Sequence, residues 1–261
     1  MTQTAAHTVM QLSIIIVNYE TDALLRNCLH SIQEHARGVD YEVIVVNTGN
    51  TDPRGIALQS PRTKLIESKN DGFGAANNRG AREASGNVLF LLNSDAELAG
   101  AGIDDAVASF ERSPKLGLLV PRLELPDGSP QTDTFGPMPT VLGTLLRLPG
   151  RSTSRRIRWV TAAALFIPRN LFEQLGGFDE RFFMYFEDVD LGARATAAGY
   201  RAAYFPGLRV LHHGGASSVG KRARTALYDQ SQTHFFRKHY GRRAAWIIEA
   251  ARVPRRLVGR R

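Results

Sequence analysis

The chain has 261 residues, 43% of them hydrophobic, and a formal net charge of +8. That length and apolar content can bury a full core in one large α/β domain with a short appendage, while the single cysteine, Cys28, excludes an intrachain disulfide and a cysteine-based metal cluster. No apolar run approaches the roughly 20 residues that cross a bilayer, and the start lacks a basic, apolar leader, so a cytoplasmic location is expected.

In chain order, the apolar run Leu12 to Val17 predicts a buried strand, and Leu24, Leu25, Cys28, Leu29 and Ile32 recur at helical spacing within a helix running to His35. Strands are expected over Tyr41 to Val46, near Lys64 to Glu67 and over Val88 to Leu92, with a helix from Gly74 to Ala84 closed by Ser85 and Gly86. Such alternation implies a mostly parallel central sheet flanked by helices, whose ligands gather beyond the carboxyl ends of the strands. Leu116 to Val120 and Trp159 to Ile167 are further expected strands. Pro121 to Pro139, rich in turn formers, suggests a hairpin or excursion, and residues 140 to 156 look mobile. Helices are expected over Asn170 to Leu175, up to Gly199, and from Arg222 with a break at Gly241. The organisation is thus a domain over residues 1–221 and a basic helical extension over 222–261 packed on or beside it.

Four stretches carry chemistry. Glu187, Asp188 and Asp190 stand in an aromatic segment, where burial raises the proton affinity of a carboxylate and prepares one acid as a general base; a helix start favours the same acids without catalysis. Asp95, in Asn93-Ser94-Asp95, leaves a buried strand where a hard divalent cation would sit, although a turn also uses such residues. The tract Asn70 to Gly80 is a glycine-bearing turn into a helix, suited to close backbone approach by a ligand or to packing alone. His212 and His213 end a strand-like segment and supply an imidazole, either as a ligand or as an ordinary half-buried residue.

The wording G-G-F-D-E-x-F-F-M-Y-x-E-D-V-D-L-x-x-R over residues 176–194 resembles the C-terminal motif of family 2 glycosyltransferases, especially the bacterial rhamnosyltransferase-like branch. Matching elements recur in order over residues 12–218: N-x-G-F-G-x-x-N-N-x-G from Asn70, an Asn93-Ser94-Asp95 similar to the D-x-D metal motif, and V-x-H-x-G-G-x-S from Val210. The resemblance implies a GT-A type, Rossmann-like fold and an inverting, metal-dependent transfer of a sugar, with rhamnose the first expectation, from a dTDP or UDP sugar to a glycan or lipid-linked acceptor. It implies Asp188 as the base with Glu187 as rival, Asp95 and His212 as ligands of Mg2+ or Mn2+, and Asn18, Tyr19, Asn47, Asn70, Asn78 and Asp95 around the donor. His213 and Glu97 are secondary candidates for the metal.

Two positions depart from the family pattern: Asn47 and Asn93 stand where acids are usual. They motivate an alternative, a noncatalytic glycosyltransferase-like protein binding an anionic partner. A dinucleotide-dependent oxidoreductase is disfavoured because no G-x-G-x-x-G turn follows the first strand. Basic residues interleaved with Trp246, Ile247 and Ile248 suggest peripheral contact with an anionic membrane at its inner face; nucleic acid is not expected as a partner.

Overall fold

A computed structural model describes residues 11–146, 157–214 and 220–252. Its frame is an eight-stranded sheet in the order β3-β2-β1-β4-β9-β6-β10-β5, flanked by helices. The first half supplies β1 (Leu12–Asn18), α1 (Asp22–His35), β2 (Tyr41–Asn47), the short α2 (Arg54–Ala57), β3 (Thr63–Glu67), α3 (Phe73–Arg82) and β4 (Val88–Asn93). The strands β1 and β2 are apolar along nearly their whole length because they lie inside the sheet with both faces covered. The helix α1 turns Leu25, Cys28, Leu29 and Ile32 inward, as its 3.6-residue period requires.

Parallel pairing sets Asn18 beside Asn47 and Val17 beside Asn93, so three strands end at one level. Beyond them come β5 (Ala96–Leu98), α4 (Ile103–Arg112), β6 (Leu116–Glu124), β7 (Phe135–Gly136), α5 (Val141–Leu145), β8 (Trp159–Val160), β9 (Ala164–Pro168), α6 (Arg169–Gln174), α7 (Glu187–Ala197), β10 (Arg201–His212) and α8 (Lys221–Ala250). Only β9 and β5 run against the other strands, so the sheet is mostly parallel. At the core, Phe90 of β4 stacks on Phe166 of β9 with centroids 3.8 Å apart.

Three expectations change. The run Trp159 to Ile167 is two strands rather than one: β8 pairs with β7 in a separate ribbon, and only β9 enters the main sheet. Thr161 still follows the β7–β8 register, donating its N–H to the Thr134 carbonyl at 2.7 Å, before the chain enters the main sheet at Ala164. The helix α4, not expected from the sequence, buries Ile103, Ala106 and Val107. Of residues 140–156, those up to Leu146 hold the capped helix α5, with Thr140 Oγ1 accepting from the Gly143 N–H; 147–156 lie outside the described residues.

The helix α8 packs on the domain through Phe235 and Phe236, both fully buried with Phe182, Phe186 and Ile248. Burying each ring contributes on the order of 1.5–3 kcal/mol. At Gly241 (φ 86°, ψ 173°) the helical path breaks, in a backbone region that glycine enters without steric cost. The second arm then folds back, and Arg252 donates to the Asp229 carbonyl, to Thr233 Oγ1 and to Gln232 Oε1.

Candidate active site

A cavity of about 860 Å³ opens at the carboxyl ends of β1 and β4 and is closed on its far side by the segment before α7 and by the first turns of α8. Tyr19, Asn70, Asp95, Glu187, Asp188 and His212 all line it.

One corner is built by β4, β5 and β10. Antiparallel pairing of Ala96 with His212 sets the imidazole beside the turn that carries Asp95. The His212 Nε2 lies 3.2 Å from Asp95 Oδ1 and 3.3 Å from Asn93 Nδ2. Its Nδ1 faces Gln131 Oε1 at 2.8 Å, an acceptor that fixes the hydrogen on Nδ1 and turns the Nε2 lone pair toward Asp95. A lone pair and a carboxylate oxygen then face each other, and the buried Asn93 Oδ1 beside them makes no hydrogen bond. These atoms suit a hard or borderline divalent cation, although no cluster of three or more His, Cys, Asp or Glu occurs among the described residues. His213 instead turns to Glu97, at 2.8 Å, and neither of those two lines the cavity.

The second feature is the carboxylate pair at the start of α7. Asp188 Oδ2 accepts from the Ala162 N–H at 3.2 Å and Oδ1 from the Val189 N–H at 2.8 Å. Burial outweighs these donors and pushes the Asp188 carboxyl up to about 6. Glu187 is raised further above the usual carboxylate range, by burial first and then by the Asp188 charge, and its Oε2 makes no hydrogen bond. Asp190 faces away from both: fully buried, it meets Arg194, Lys238 and His239 at 2.6–2.7 Å. Burial opposes its charge, but these three partners hold its carboxyl below the usual range.

The turn that aims this helix is strained. Tyr185 (φ 70°) and Phe186 (φ 67°) are consecutive bulky residues in the left-handed region. The helix α8 holds them there: Tyr228 packs edge-on against both rings, Phe235 meets Phe186 at 5.4 Å, and Ser231 Oγ donates to the Met184 carbonyl.

The glycine-bearing tract lines the cavity with Asn70, Gly72 and Phe73, and it also packs closely on the protein itself. A Cβ on Gly72 (φ 106°) would come within 2.4 Å of the Phe183 carbonyl oxygen, and that carbonyl accepts from the Phe73 N–H. The backbone brought close to the glycine is therefore the protein's own segment before α7. Asn78 serves the same seat, donating to the Phe178 carbonyl and Glu180 while accepting from the Phe178 N–H. Asn18 and Asn47 are likewise tied into the framework. Asn47, 1% exposed, accepts from Asn18 and donates to Glu67 and the Thr51 carbonyl, while Asn18 also bonds Asp22 and Thr21. Neither they nor Asn78 line the cavity, because their amides are engaged with neighbouring loops. Gln131, Asp133, Trp159, Arg224 and Tyr228 were not anticipated at the site; aromatic spacing and a basic helix were their only traces in the sequence.

Residues 13–164 match the family model described as Glycosyl transferase family 2. Over 241 residues the chain is 32% identical to an N-acetylglucosaminyl-diphospho-decaprenol L-rhamnosyltransferase of Mycobacterium tuberculosis, covering 80% of this chain and 78% of the relative. Among solved structures, GalNAc-T7 with UDP, GalNAc and Mn2+ superposes with a TM-score of 0.61 at 18% identity, over 88% of this chain and 50% of that one. A mannosyltransferase of Pyrobaculum calidifontis in complex with GDP-Man and Mn2+ gives a TM-score of 0.57 at 20% identity, over 86% of this chain and 61% of that one. These structures share the GT-A fold, of which this chain spans only part of each partner's length. With more than half of its sequence inside the family model and a 32% identical relative aligned along four fifths of it, the chain belongs to glycosyl transferase family 2 and is a glycosyltransferase.

Proposed function

We propose that the protein transfers a sugar, with inversion, from a nucleoside diphosphate sugar to a hydroxyl of a glycan or lipid-linked acceptor. The observation that carries this reading is that one cavity holds both a carboxylate tuned to about 6 and the Asp95–His212 donor pair. Asp188 takes the acceptor proton as the acceptor oxygen attacks the anomeric carbon; its affinity for that proton is raised by burial, and its position is fixed by the Ala162 and Val189 N–H groups. Glu187, next to it, is held above the usual carboxylate range by burial and by the Asp188 charge, which favours Asp188 as the charged member of the pair.

Asp95 and His212, with Asn93 Oδ1 beside them, would hold Mg2+ or Mn2+, which supplies charge neutralisation at the leaving diphosphate. Tyr19, Thr21, Thr48 and Asn70 line the part of the cavity nearest the ends of β1 and β2 and offer a ring and polar groups to the nucleotide. A dTDP-linked deoxysugar such as rhamnose is the first donor to test, in keeping with the rhamnosyltransferase relative, and UDP sugars are the second.

A lipid-linked acceptor would put the enzyme at the inner face of a membrane. Among the described residues no helix is long and apolar enough to cross one, but the bend of α8 gathers Arg237 from the first arm and Arg242, Arg243, Trp246 and Ile247 from the second around a surface concavity, with Trp246 70% exposed. Cationic and apolar groups in that combination suit the headgroup layer of an anionic bilayer.

The deciding experiment is hydrolysis and transfer from a panel of dTDP and UDP sugars with and without manganese. Metal-stimulated release of nucleoside diphosphate from one donor is expected. Binding without any turnover across the panel would instead favour a noncatalytic anion-binding role.

A further inference from the structure

The cavity has a cation that the transfer chemistry has not used. Arg224 lines it from the first turn of α8, half-buried, and among the described residues it has no carboxylate partner. Lys238 is engaged with Asp179 and Asp190, His239 with Asp190, and Arg252, just past the helix, with Asp229, whereas Arg222, Arg237, Arg242 and Arg243 are exposed to solvent; Arg224 differs from these in being half-buried in the cavity wall. A half-buried guanidinium without a counter-charge loses hydration with little return, and its planar fork matches phosphate oxygens.

The position of Arg224 says which phosphate. Tyr228, four residues on and on the same helix face, packs against Tyr185 and Phe186 directly before the carboxylate pair. Burial raises the Tyr228 phenol; Arg252 opposes this, and the nearby charges of Asp229, Asp133 and Asp188 add to it. Arg224 therefore shares the wall of Asp188, where an acceptor must present its hydroxyl. The Asp95–His212 corner, where the donor diphosphate would lie, is built by other elements, β4, β5 and β10.

We infer that Arg224 is an anion-binding residue for the acceptor, holding a phosphate or diphosphate through which the acceptor sugar is joined to its carrier lipid. This rests on the transferase reading and deepens it. The same wall explains how a neighbouring carboxylate, Asp133, is accommodated: it can accept from sugar hydroxyls while the guanidinium takes the phosphate.

The test compares two probes on the full chain saturated with nucleoside diphosphate and manganese: a short prenyl diphosphate bearing one sugar, and the alkyl glycoside of that sugar. The diphosphate probe should bind more tightly, and Arg224→Gln should erase about 10- to 100-fold of that preference, the range of a charge-assisted contact, with Arg224→Lys restoring part of it. An unchanged preference in Arg224→Gln overturns the proposal, as does a wild-type chain that does not distinguish the probes. Equal weakening of nucleoside diphosphate binding would assign the guanidinium to the donor instead. Donor hydrolysis by the unaltered chain reports the transferase reading separately: hydrolysis without probe preference removes Arg224 alone, whereas preference without hydrolysis keeps the anion site and removes the chemistry.

Discussion

Asp188 and Asp190 lie two residues apart on α7, yet their surroundings drive them in opposite directions. Asp188 faces the cavity, meets only backbone N–H groups and is raised to about 6. Asp190 faces α8, is fully buried, meets three cationic side chains and is lowered. A helix turns roughly 100° per residue, so two positions reach nearly opposite sides. The difference teaches that one short acidic motif can divide its labour: one carboxylate faces the cavity with a raised affinity for protons while another clasps the helix that holds it in place.

The largest effect should come from Asp188→Asn, which is expected to lower transfer on the order of 100- to 10,000-fold while retaining nucleotide binding by titration. Near-normal turnover would break the contrast at its catalytic end. The next concerns Asp190. Asp190→Asn leaves Arg194, Lys238 and His239 around a buried neutral group and should cost about 3 kcal/mol in denaturant unfolding. Since the Asp190 pKa is lowered on folding, its contribution is present above the unfolded value near 4 and lost as pH falls through the folded one, so variant and wild type should converge in acid.

The pH profile sharpens the same comparison. A base with a value of about 6 predicts that kcat/KM falls about tenfold per pH unit below 6 and levels above it. Asp190→Asn should keep this limb, whereas a limb displaced in that variant would show that the two acids are coupled. At the other corner, Gln131→Ala frees the tautomer of His212 and should weaken manganese-dependent nucleotide binding about tenfold. The smallest effect is at the second arm of α8, where Arg242→Gln should reduce cosedimentation with anionic vesicles about fivefold, or roughly 1 kcal/mol per charge, with the loss disappearing at high salt. Point substitution is the cleaner probe there, because a cut after Tyr240 would also remove the buried Ala245 and Ile248.

The strands β1, β2 and β4 and the helix α1 were legible because strands buried on both faces leave uninterrupted apolar runs and an inward helix leaves a 3.6-residue period. The break between β8 and β9 was not, since Val160, Ala162, Ala163 and Ala164 are all buried and apolar on either side of Thr161. Asp95, Asp188 and His212 could be placed at strand and helix ends from local wording, and the structure brings them into one cavity. The asparagines show the limit of that wording: Asn47 and Asn78 have the residue type a ligand would want, but only the fold reveals that their donors and acceptors are engaged elsewhere. The wall formed by Trp159, Arg224 and Tyr228 joins residues more than sixty positions apart, a separation that periodicity does not register.

The bend at Gly241 also decides where the second arm of α8 goes. A straight helix would carry residue 252 roughly 35 Å from residue 229 at 1.5 Å per residue; instead their side chains meet at 3.3 Å. Arg252, the last described residue, therefore sits against Asp229, the sequence neighbour of Tyr228 in the cavity wall, so the bend ties the end of the second arm to the turn of α8 that borders the site.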